Sequence, residues 1–405
     1  MSQGGANFTI LDNVVEIGGS SVSAFGTLET AEMTPLVQLD FIYGINTQTG
    51  VTAVANSATV DTLAGRLRLQ SGTNSAGAAT FTSRKTAKYR PGQGVTARFT
   101  GVWVTSAANS VQIVGAGSSV DGYFFGYNGT AFGVLLKNGG SSNWIAQTVW
   151  NGDKCDGSGK SGFTWNKTNG NVMMVKYPFL GYGDIKFYVQ NPTTGGWILV
   201  HTIQYANSSP SVQVSNPNLS FFANITNGGN TTALTMYVGS VGIFLSGTRT
   251  FVGSPKWAYD NNKSGVTAET NIFTLQNCAS YNGVTNQSLM RITHVSFSTT
   301  ANNALGILRI RLGATVGGAP SFAPISGTGT TTITNGNSVA SVDTAGTTAT
   351  DGTLMFTGTT GPNGAVDIDL TPFDIFLVPG EKMTFSVFSS ASNTVAVCAN
   401  WIEDI

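Results

Sequence analysis

Apolar and polar residues alternate in short runs along much of this chain. In residues 63–69 three leucines share one face, while Arg66 and Arg68 share the other. A period of two residues is typical of a strand buried on one side, because successive side chains of a strand point to opposite faces. Residues 95–104 repeat this pattern, and we expect the inward side chains to include Ala97, Phe99 and Trp103.

Residues 185–205 carry the clearest hairpin pattern. Ile185, Phe187 and Val189 alternate with polar residues, and the segment 191–196 that follows contains the proline and glycines that a turn requires. One face of the second strand is predicted to consist of Trp197, Leu199, His201 and Ile203.

The distribution of strand patterns divides the chain into four segments. We expect an N-terminal arm or edge strand in residues 1–35 and a first β-sandwich in residues 36–250. The alternation breaks down at residues 251–261, which we interpret as a linker. Strand patterns then recur at the spacing of a second β-sandwich in residues 262–405.

Two segments depart from the strand pattern. Residues 28–34 are the best candidate for a short helix. Residues 327–350 are rich in Gly, Thr, Ser and Asn, which favours a long exposed loop or a weak hairpin. The prediction for the whole chain is therefore an all-β protein.

The composition narrows the function classes. Hydrophobic residues make up 41% of the 405 residues, which is enough for buried cores, while charged residues make up only 10%, against about 25% in ordinary soluble domains. Twenty basic residues balance twenty acidic ones, so the formal net charge is zero. So few charges protect a chain poorly from self-association, and a zero balance argues against nucleic acid as a partner.

Targeting patterns and cysteine usage bear on the compartment. Residues 1–10 have neither a basic region nor an apolar stretch, so no secretory signal is predicted. No apolar run reaches the roughly eighteen residues that a membrane helix needs. Cys155, Cys278 and Cys398 are too few for a disulfide framework. We therefore expect synthesis in a reducing host cytoplasm and no insertion into a membrane.

Several ordered segments of the first predicted sandwich are similar to a known kind of domain. The segments are residues 89–94, 121–136, 151–163, 172–189 and 196–203. Their order, with the motif DGYFFGYNGT at 121–130, resembles concanavalin-like (laminin-G-like) lectin domains in structural proteins of tailed phages and large algal viruses. The resemblance covers residues 25–250 and implies a concanavalin-like β-sandwich in a virus particle. The second sandwich resembles jelly-roll-like viral fibre and decoration domains only generically.

The residues that catalysis would need are sparse. Concanavalin-like folds also include glycan hydrolases, which need two carboxylates beside the bond. No glutamate lies between residues 33 and 268, so the Glu-x-Asp-x-Glu strand typical of those hydrolases is missing from this sequence. Asp153 and Asp156 are the nearest alternative pair, although a Gly-rich turn explains them better. We therefore predict no catalytic residue, no cofactor and no metal site.

Residues 144–165 are the candidate glycan site. The candidate consists of three tryptophans and two aspartates: Trp144, Trp150, Asp153, Asp156 and Trp165. An aromatic platform with a few fixed polar groups suits a sugar ligand. The alternative is that Trp150 and Trp165 pack beneath the Gly-rich loop while the two aspartates make Asx turns. The sequence leaves both alternatives open.

A second candidate is a concentration of basic residues between positions 84 and 98. Its members are Arg84, Lys85, Lys88, Arg90 and Arg98. A patch of this kind would suit an acidic neighbour in an assembly or an anionic cell-surface glycan. An outward strand face with ordinary solvating charges is an equally good interpretation.

These observations predict a non-enzymatic structural protein of the virion surface. It would be a fibre, a spike or a capsid-decorating subunit that serves assembly and attachment to the host surface. The expected partners are copies of itself, with a trimer as one option, other virion proteins and a host glycan. The alternatives are a glycan-binding receptor-recognition module of a tail fibre and, less favoured, a polysaccharide depolymerase.

Overall fold

A computed structural model describes residues 8–11, 14–17, 32–248 and 253–405 of the chain. Contacts divide the chain into two units. Unit 1 consists of Met1–Thr47, Val51–Thr82 and Tyr89–Arg249, and unit 2 consists of Gln48–Gly50, Ser83–Lys88 and Thr250–Ile405.

Short strands make up most of the described residues up to position 248. In chain order they are β1 (Phe8–Leu11), β2 (Val14–Ile17), β3 (Met33–Asp40), β4 (Gly50–Ala55), β5 (Thr59–Leu63), β6 (Arg66–Gln70), β7 (Ala78–Ala87), β8 (Val95–Trp103), β9 (Ser110–Gly117), β10 (Gly122–Asn128), β11 (Ala131–Asn138), β12 (Ser141–Ala146), β13 (Asn171–Tyr177), β14 (Ile185–Gln190), β15 (Trp197–Ile203), β16 (Leu219–Asn227), β17 (Thr235–Val238) and β18 (Ser240–Ser246). A single turn of 3-10 helix at Gln147–Val149 follows β12.

Two sheets carry these strands, apart from the separate pair β1–β2. Sheet A has the order β12-β11-β10-β9-β16-β7-β4. Sheet B has the order β15-β14-β13-β8-β17-β6-β5, and β18 joins it by pairing with β8 and with β3. Sheets A and B pack face to face, because Phe125 of β10 contacts Phe99 of β8 and Phe187 of β14, with ring centroids 6.3 and 5.4 Å apart.

The predicted strand at residues 95–104 is confirmed as β8. Ala97, Phe99 and Trp103 are buried in the core, as the alternation predicts. Large apolar side chains on one face of a strand bury well only when they all meet the same partner sheet, which is why the period of two was informative here.

Residues 63–69 form a hairpin rather than the single strand that their leucines suggest. Ala64 and Gly65 have φ values of 52° and 73°, so a tight turn separates β5 from β6. Positive φ at both central residues is typical of the turn that joins two antiparallel strands. Leu67 and Leu69 are buried as predicted, but Leu63 belongs to β5 and is 44% exposed.

The hairpin predicted at residues 185–205 is confirmed as β14 and β15, with one error in its faces. A β-bulge between Phe187 and Tyr188 shifts the register of the pair. As a result Trp197 and Leu199 are exposed while His201 is buried. A bulge adds one residue to one strand and therefore reverses the inward and outward positions beyond it.

The N-terminal predictions lie mostly outside the described residues. Residues 28–31 of the predicted helix are among those outside. Met33 and Thr34 begin β3 and are therefore strand, which contradicts a helix at those two positions.

Strands also dominate the described residues from 253 onward. They are β19 (Lys256–Val266), β20 (Thr270–Asn277), β21 (Ser280–Tyr281), β22 (Val284–Thr285), β23 (Leu289–Thr299), β24 (Gly306–Leu312), β25 (Thr315–Val316), β26 (Phe322–Pro324), β27 (Thr332–Ile333), β28 (Ala340–Asp343), β29 (Ala349–Thr350), β30 (Thr353–Thr360), β31 (Ala365–Asp369), β32 (Phe376–Leu377), β33 (Lys382–Ser389) and β34 (Asn393–Asp404). A 3-10 turn at Thr371–Phe373 lies between β31 and β32.

Unit 2 is built around two further sheets. Sheet C has the order β19-β34-β23-β31, with β32 paired to β23, and sheet D has the order β26-β28-β20-β33-β24-β30. Short pairings add β22-β21-β27 and β25-β29. Residues from both sheets, including Phe273 and Phe385 of sheet D and Ile292 and Trp401 of sheet C, share one buried core. The predicted fold class, an all-β chain with two β-sandwiches, is confirmed.

The Gly- and Thr-rich residues 327–350 are less exposed than predicted. Ala340–Asp343 is β28, an inner strand of sheet D, and all of its residues are buried. The carboxylate of Asp343 accepts hydrogen bonds from the backbone N–H groups of Ser321 and Ala345, at 2.7 and 3.0 Å. Composition alone missed this strand, because its small residues pack closely without a large apolar side chain.

Candidate functional site

The tryptophans of the predicted glycan site do not form an exposed shelf. Trp150 and Trp165 are only 2% and 3% exposed. Their ring centroids lie 6.1 Å apart, and Trp165 also packs 5.7 Å from Phe125 and 4.9 Å from Phe132. Both rings therefore belong to the core between sheets A and B, where a sugar has no access to them.

Trp144 lies apart from the other two tryptophans. It is half-buried and packs against a cluster of Ile113, Phe124, Leu135 and Phe222. Phe124 is the neighbour of Phe125 on β10, and successive residues of a strand point to opposite faces. Trp144 is therefore on the outer face of sheet A, while Trp150 and Trp165 are on its inner side.

The two aspartates of this loop are engaged in local turns. Asp153 accepts hydrogen bonds from the N–H groups of Cys155 and Ser161, at 2.9 and 2.8 Å, and Asp156 accepts from the N–H of Ser158 at 2.9 Å. Partial burial works against ionisation of Asp153, but these hydrogen bonds hold the pKa of its carboxyl below the usual value. The carboxylate approaches the backbone of Gly159 so closely that a Cβ there would lie 2.1 Å from an oxygen.

Of the two interpretations of residues 144–165, packing beneath a Gly-rich loop with Asx turns fits this geometry. The glycan shelf of Trp144, Trp150, Asp153, Asp156 and Trp165 does not fit it. The physical reason is that indole rings next to a well-packed apolar core gain more from burial than from exposure.

The basic residues between positions 84 and 98 are not one patch. The Arg84 side chain is 4% exposed and lies 2.5 Å from a carboxylate oxygen of Glu381, within unit 2. Lys85 forms an ion pair with Asp374 in the same unit. Neither Lys88 nor Arg90 is without a partner. Arg98 forms no ion pair with a carboxylate among the described residues.

Arg98 lies instead beside two lysines from other parts of the sequence. Arg98 is on β8, Lys176 on β13 and Lys186 on β14, which are neighbouring strands of sheet B. Their neighbours along each strand, such as Ala97, Val175 and Phe187, are buried, so all three cations point outward. We call Arg98, Lys176 and Lys186 the cationic cluster.

The register of sheet B sets the geometry of the cationic cluster. Lys176 is directly opposite Lys186, and on its other side it is opposite Thr96. Arg98 is opposite Met174, one position along the same face. Residues directly opposite on one face have Cβ atoms about 5 Å apart, so the Lys176 and Lys186 side chains leave the sheet side by side.

Aromatic rings lie beside two of these cations. The Lys176 ammonium is 5.8 Å from the centroid of the Tyr188 ring, and the Arg98 guanidinium is 5.6 Å from that of Phe244. The Phe244 ring extends over Gly242, where a Cβ would come within 2.7 Å of it. The glycine therefore lets the ring lie flat on the sheet beneath Arg98.

The charges around the cationic cluster are mostly positive. Burial, together with the charges of Arg98 and Lys186, lowers the pKa of Lys176 below its usual value. Farther along the same face Arg68 forms an ion pair with Asp61, and Arg66 lies over the ring of Tyr237 at 4.3 Å. Across the described residues, no carboxylate forms an ion pair with any member of the cluster.

The described glutamates of unit 2 already have partners. Glu269 pairs with Arg309, and Glu381 pairs with Arg84. Glu403 is fully buried, which raises the pKa of its carboxyl, while Ser338 and the Trp401 indole donate hydrogen bonds to it at 2.6 and 2.9 Å. Among the described residues, no group of His, Cys, Asp and Glu side chains is arranged to hold a metal ion.

One edge of sheet A is unusual in its exposure. β4 ends the sheet, and all of its residues from Val51 to Ala55 are exposed. Val51 and Val54 are 52% and 56% exposed, and the strand contains neither a charge nor a proline. No helix among the described residues is long and apolar enough to cross a membrane.

Comparisons with known proteins concern the fold. No protein-family model matches the sequence, and no curated protein matches it. Among solved structures, arcelin-5, a lectin-like defence protein from Phaseolus vulgaris, is similar over 52% of this chain and 99% of its own, with 9% identity and a TM-score of 0.32. A legume lectin-like domain from Entamoeba histolytica covers 51% of this chain and 95% of its own, with 10% identity and a TM-score of 0.30.

A hydrolase is among the similar structures as well. A β-1,3-glucanase from Mycobacterium marinum is similar over 49% of this chain and 91% of its own, with 13% identity and a TM-score of 0.33. We draw no conclusion about ligand or activity from likenesses of this size.

Proposed function

We propose that the chain is a non-enzymatic structural subunit of the outer surface of a virus particle, where it associates with copies of itself and contributes to attachment. The viral part of the proposal is supported by the resemblance of residues 25–250 to virion lectin-like domains. The assembly part is supported by the surface of unit 1.

The observation that carries the assembly proposal is the open edge at β4. An edge strand presents unpaired N–H and C=O groups, and soluble proteins usually protect such an edge with charges or prolines. β4 has neither, in a chain of which only 10% is charged. An uncharged, exposed edge favours pairing with another strand.

The sequence of β4 suits pairing with a second copy. If two β4 strands run antiparallel about a two-fold axis through Ala53, Val51 is opposite Ala55 and Thr52 is opposite Val54. Each β-branched residue then meets a small or β-branched one, and no like charges meet. A two-fold contact of this kind uses the same surface on both copies.

The non-enzymatic part of the proposal is supported by the state of the carboxylates. Asp153 and Asp156 accept hydrogen bonds from their own loop, and Glu269 and Glu381 are held by arginines. Glycan hydrolysis needs one carboxylic acid and one carboxylate free to face the substrate. A described pair with that freedom would favour a depolymerase instead.

Sedimentation velocity of the purified chain tests self-association. We expect the wild-type chain to form a concentration-dependent oligomer and Val54→Lys to shift it to monomer, because a charge on the edge opposes strand pairing. Val149→Lys is the matched control, since Val149 is 65% exposed in a 3-10 turn at the opposite end of the strand order of sheet A and belongs to no strand. A wild-type chain that stays monomeric, or equal effects of both substitutions, would contradict pairing through β4.

Mass spectrometry of purified particles tests the location. We expect the chain to be present in particles at high copy number and in repeating positions on their surface. Finding it only in lysates of infected cells, and never in particles, would overturn the virion proposal.

A further inference from the structure

We infer that the cationic cluster on the outer face of sheet B binds an anionic polysaccharide, one that carries carboxylate or sulfate groups along its length. The inference rests on the proposed function for its setting, because it names the ligand of the attachment step. Its physical basis is independent of that setting.

The first argument is the placement of Lys176 opposite Lys186. Like charges directly opposite on neighbouring strands oppose folding. A solvent-facing pair of positions accepts many uncharged residues, so a Lys–Lys pair is not required by the fold. Arg98 adds a third positive charge one position along the same face.

The second argument is that no described carboxylate forms an ion pair that would offset this repulsion. Asp184, just before β14, is the carboxylate nearest in sequence to the strands of the cluster, and it forms no ion pair with the three cations. Burial lowers the pKa of Lys176, and the charges of Arg98 and Lys186 lower it further. A bound polyanion would remove the repulsion.

The third argument concerns the shape and chemistry of the surface. On this face one row of opposed residues runs Lys186, Lys176, Thr96 and Phe244, and the next row runs Tyr188, Met174 and Arg98. A planar guanidinium binds a carboxylate or sulfate through two parallel hydrogen bonds, while an ammonium binds as a point charge. Half-exposed rings next to these cations offer apolar surface to the C–H face of a sugar.

Two other classes of polyanion fit less well. Lysine is depleted at the core of protein–protein interfaces, whereas two of the three cations are lysines. Nucleic acid is usually bound by a broad basic surface on a protein with a net positive charge, whereas this chain has a formal net charge of zero. An acidic polysaccharide needs only a local row of cations.

The experiment measures binding of the full-length chain to heparin, polygalacturonate and dextran by fluorescence anisotropy at several salt concentrations. We expect binding of the two anionic polysaccharides, no binding of dextran and a linear fall of log K with log salt concentration. The double variant K176Q/K186Q is expected to bind at least about ten-fold more weakly. Its slope of log K against log salt concentration should be shallower by about two.

A matched control removes two lysines elsewhere in unit 1. K154Q/K160Q changes the net charge by the same amount but lies in the loop of residues 151–163. We expect this control to retain the affinity of the wild-type chain. Equal losses of affinity in both variants would mean that binding depends only on net charge, and this would overturn the proposed site. Equal affinity for single-stranded DNA or poly-glutamate at the same salt concentration would overturn the polysaccharide assignment.

The outcome is separable from that of the proposed function. If the intact chain binds neither anionic polysaccharide at low salt, this inference is wrong. The results on self-association and on location in particles would be unaffected. Conversely, specific binding through Lys176 and Lys186 would stand even if the chain were not found in particles.

Discussion

Two sets of cations in this molecule differ in what surrounds them. Arg84 and Lys85 are adjacent residues, and each is matched by a carboxylate of unit 2, Glu381 or Asp374. The cationic cluster joins residues from three strands, and no described carboxylate pairs with them. The first set stabilises the fold, and the second set is free to meet a ligand. Proximity along the chain was therefore the wrong guide to a basic patch.

The two sets of cations also differ in their exposure to solvent. Arg84 is inside the protein, with its Nη1 donating to the carbonyl of Gln48 at 2.9 Å. Lys176 and Lys186 are exposed to solvent. Since a buried charge needs a partner and an exposed one does not, removing a charge should have opposite consequences in the two places.

The largest effect is expected at Arg84. Arg84→Met leaves Glu381 without its cation, and we expect unit 2 to lose about 3 kcal/mol of unfolding free energy. Urea denaturation measures the loss. In the double variant R84M/E381L most of the stability should return, because an apolar pair replaces the ion pair. A loss no larger than that of an exposed ion pair would show that Arg84 belongs with the free cations after all.

A smaller effect of opposite sign is expected in the cationic cluster. Lys186→Glu replaces a like-charge pair with an opposite-charge pair, and we expect a gain of about 1 kcal/mol in the stability of unit 1. The same variant should lose binding of anionic polysaccharide. Thermal unfolding at low salt measures the gain, and high salt should reduce it. Destabilisation by this substitution would mean that Lys186 has a structural partner.

A still smaller effect is expected at Lys85. Its side chain and that of Asp374 are 34% and 43% exposed, so the ion pair is well solvated. Lys85→Gln should cost about 0.5 kcal/mol, in contrast to Arg84→Met. The measurement is the same urea denaturation, with Lys382→Gln as a control at another lysine of unit 2. Equal losses at Lys85 and Arg84 would remove the distinction between exposed and buried pairs.

The finest test is the titration of Lys176. Its pKa in the folded chain is lowered below the usual lysine value of 10.5, so the folded state binds the proton less well than the unfolded state. Stability should therefore rise as the pH increases through the lowered pKa towards 10.5. NMR titration of the Lys176 side chain should show this pKa moving upward in Lys186→Gln. No movement would mean that Lys186 does not act on it.

Strand alternation in the sequence predicted the fold well where one face is apolar. Val95–Trp103 and the hairpin of β14 and β15 were found in this way because their inward residues are large. The bulge, which leaves Val200 of β15 without a partner between those of Phe187 and Tyr188, could not be predicted, since no glycine or proline marks it. Likewise the buried strand β28 was not predicted, because its residues are mostly small.

The candidate sites were harder to predict than the strands. Trp150 and Trp165 are typical of a sugar platform and equally typical of a core, and only the packing against Phe125 and Phe132 decides between them. Alternation in β13 and β14 does show that Lys176 and Lys186 face outward. Whether the two lysines lie directly opposite each other depends on the register of β13 and β14 across the connection of residues 178–184, and alternation does not specify that register.

The position of β34 in sheet C has a consequence for synthesis on the ribosome. β34 lies between β19 and β23, yet it follows both of them in the chain. A nascent chain therefore cannot close this sheet until residues 393–404 have emerged, and until then β19 and β23 keep open edges. A message truncated upstream of residue 393 would yield a unit 2 with two unpaired strands and no Trp401 in its core. Such products should be recognised by chaperones or proteases, so folding itself distinguishes finished subunits from unfinished ones.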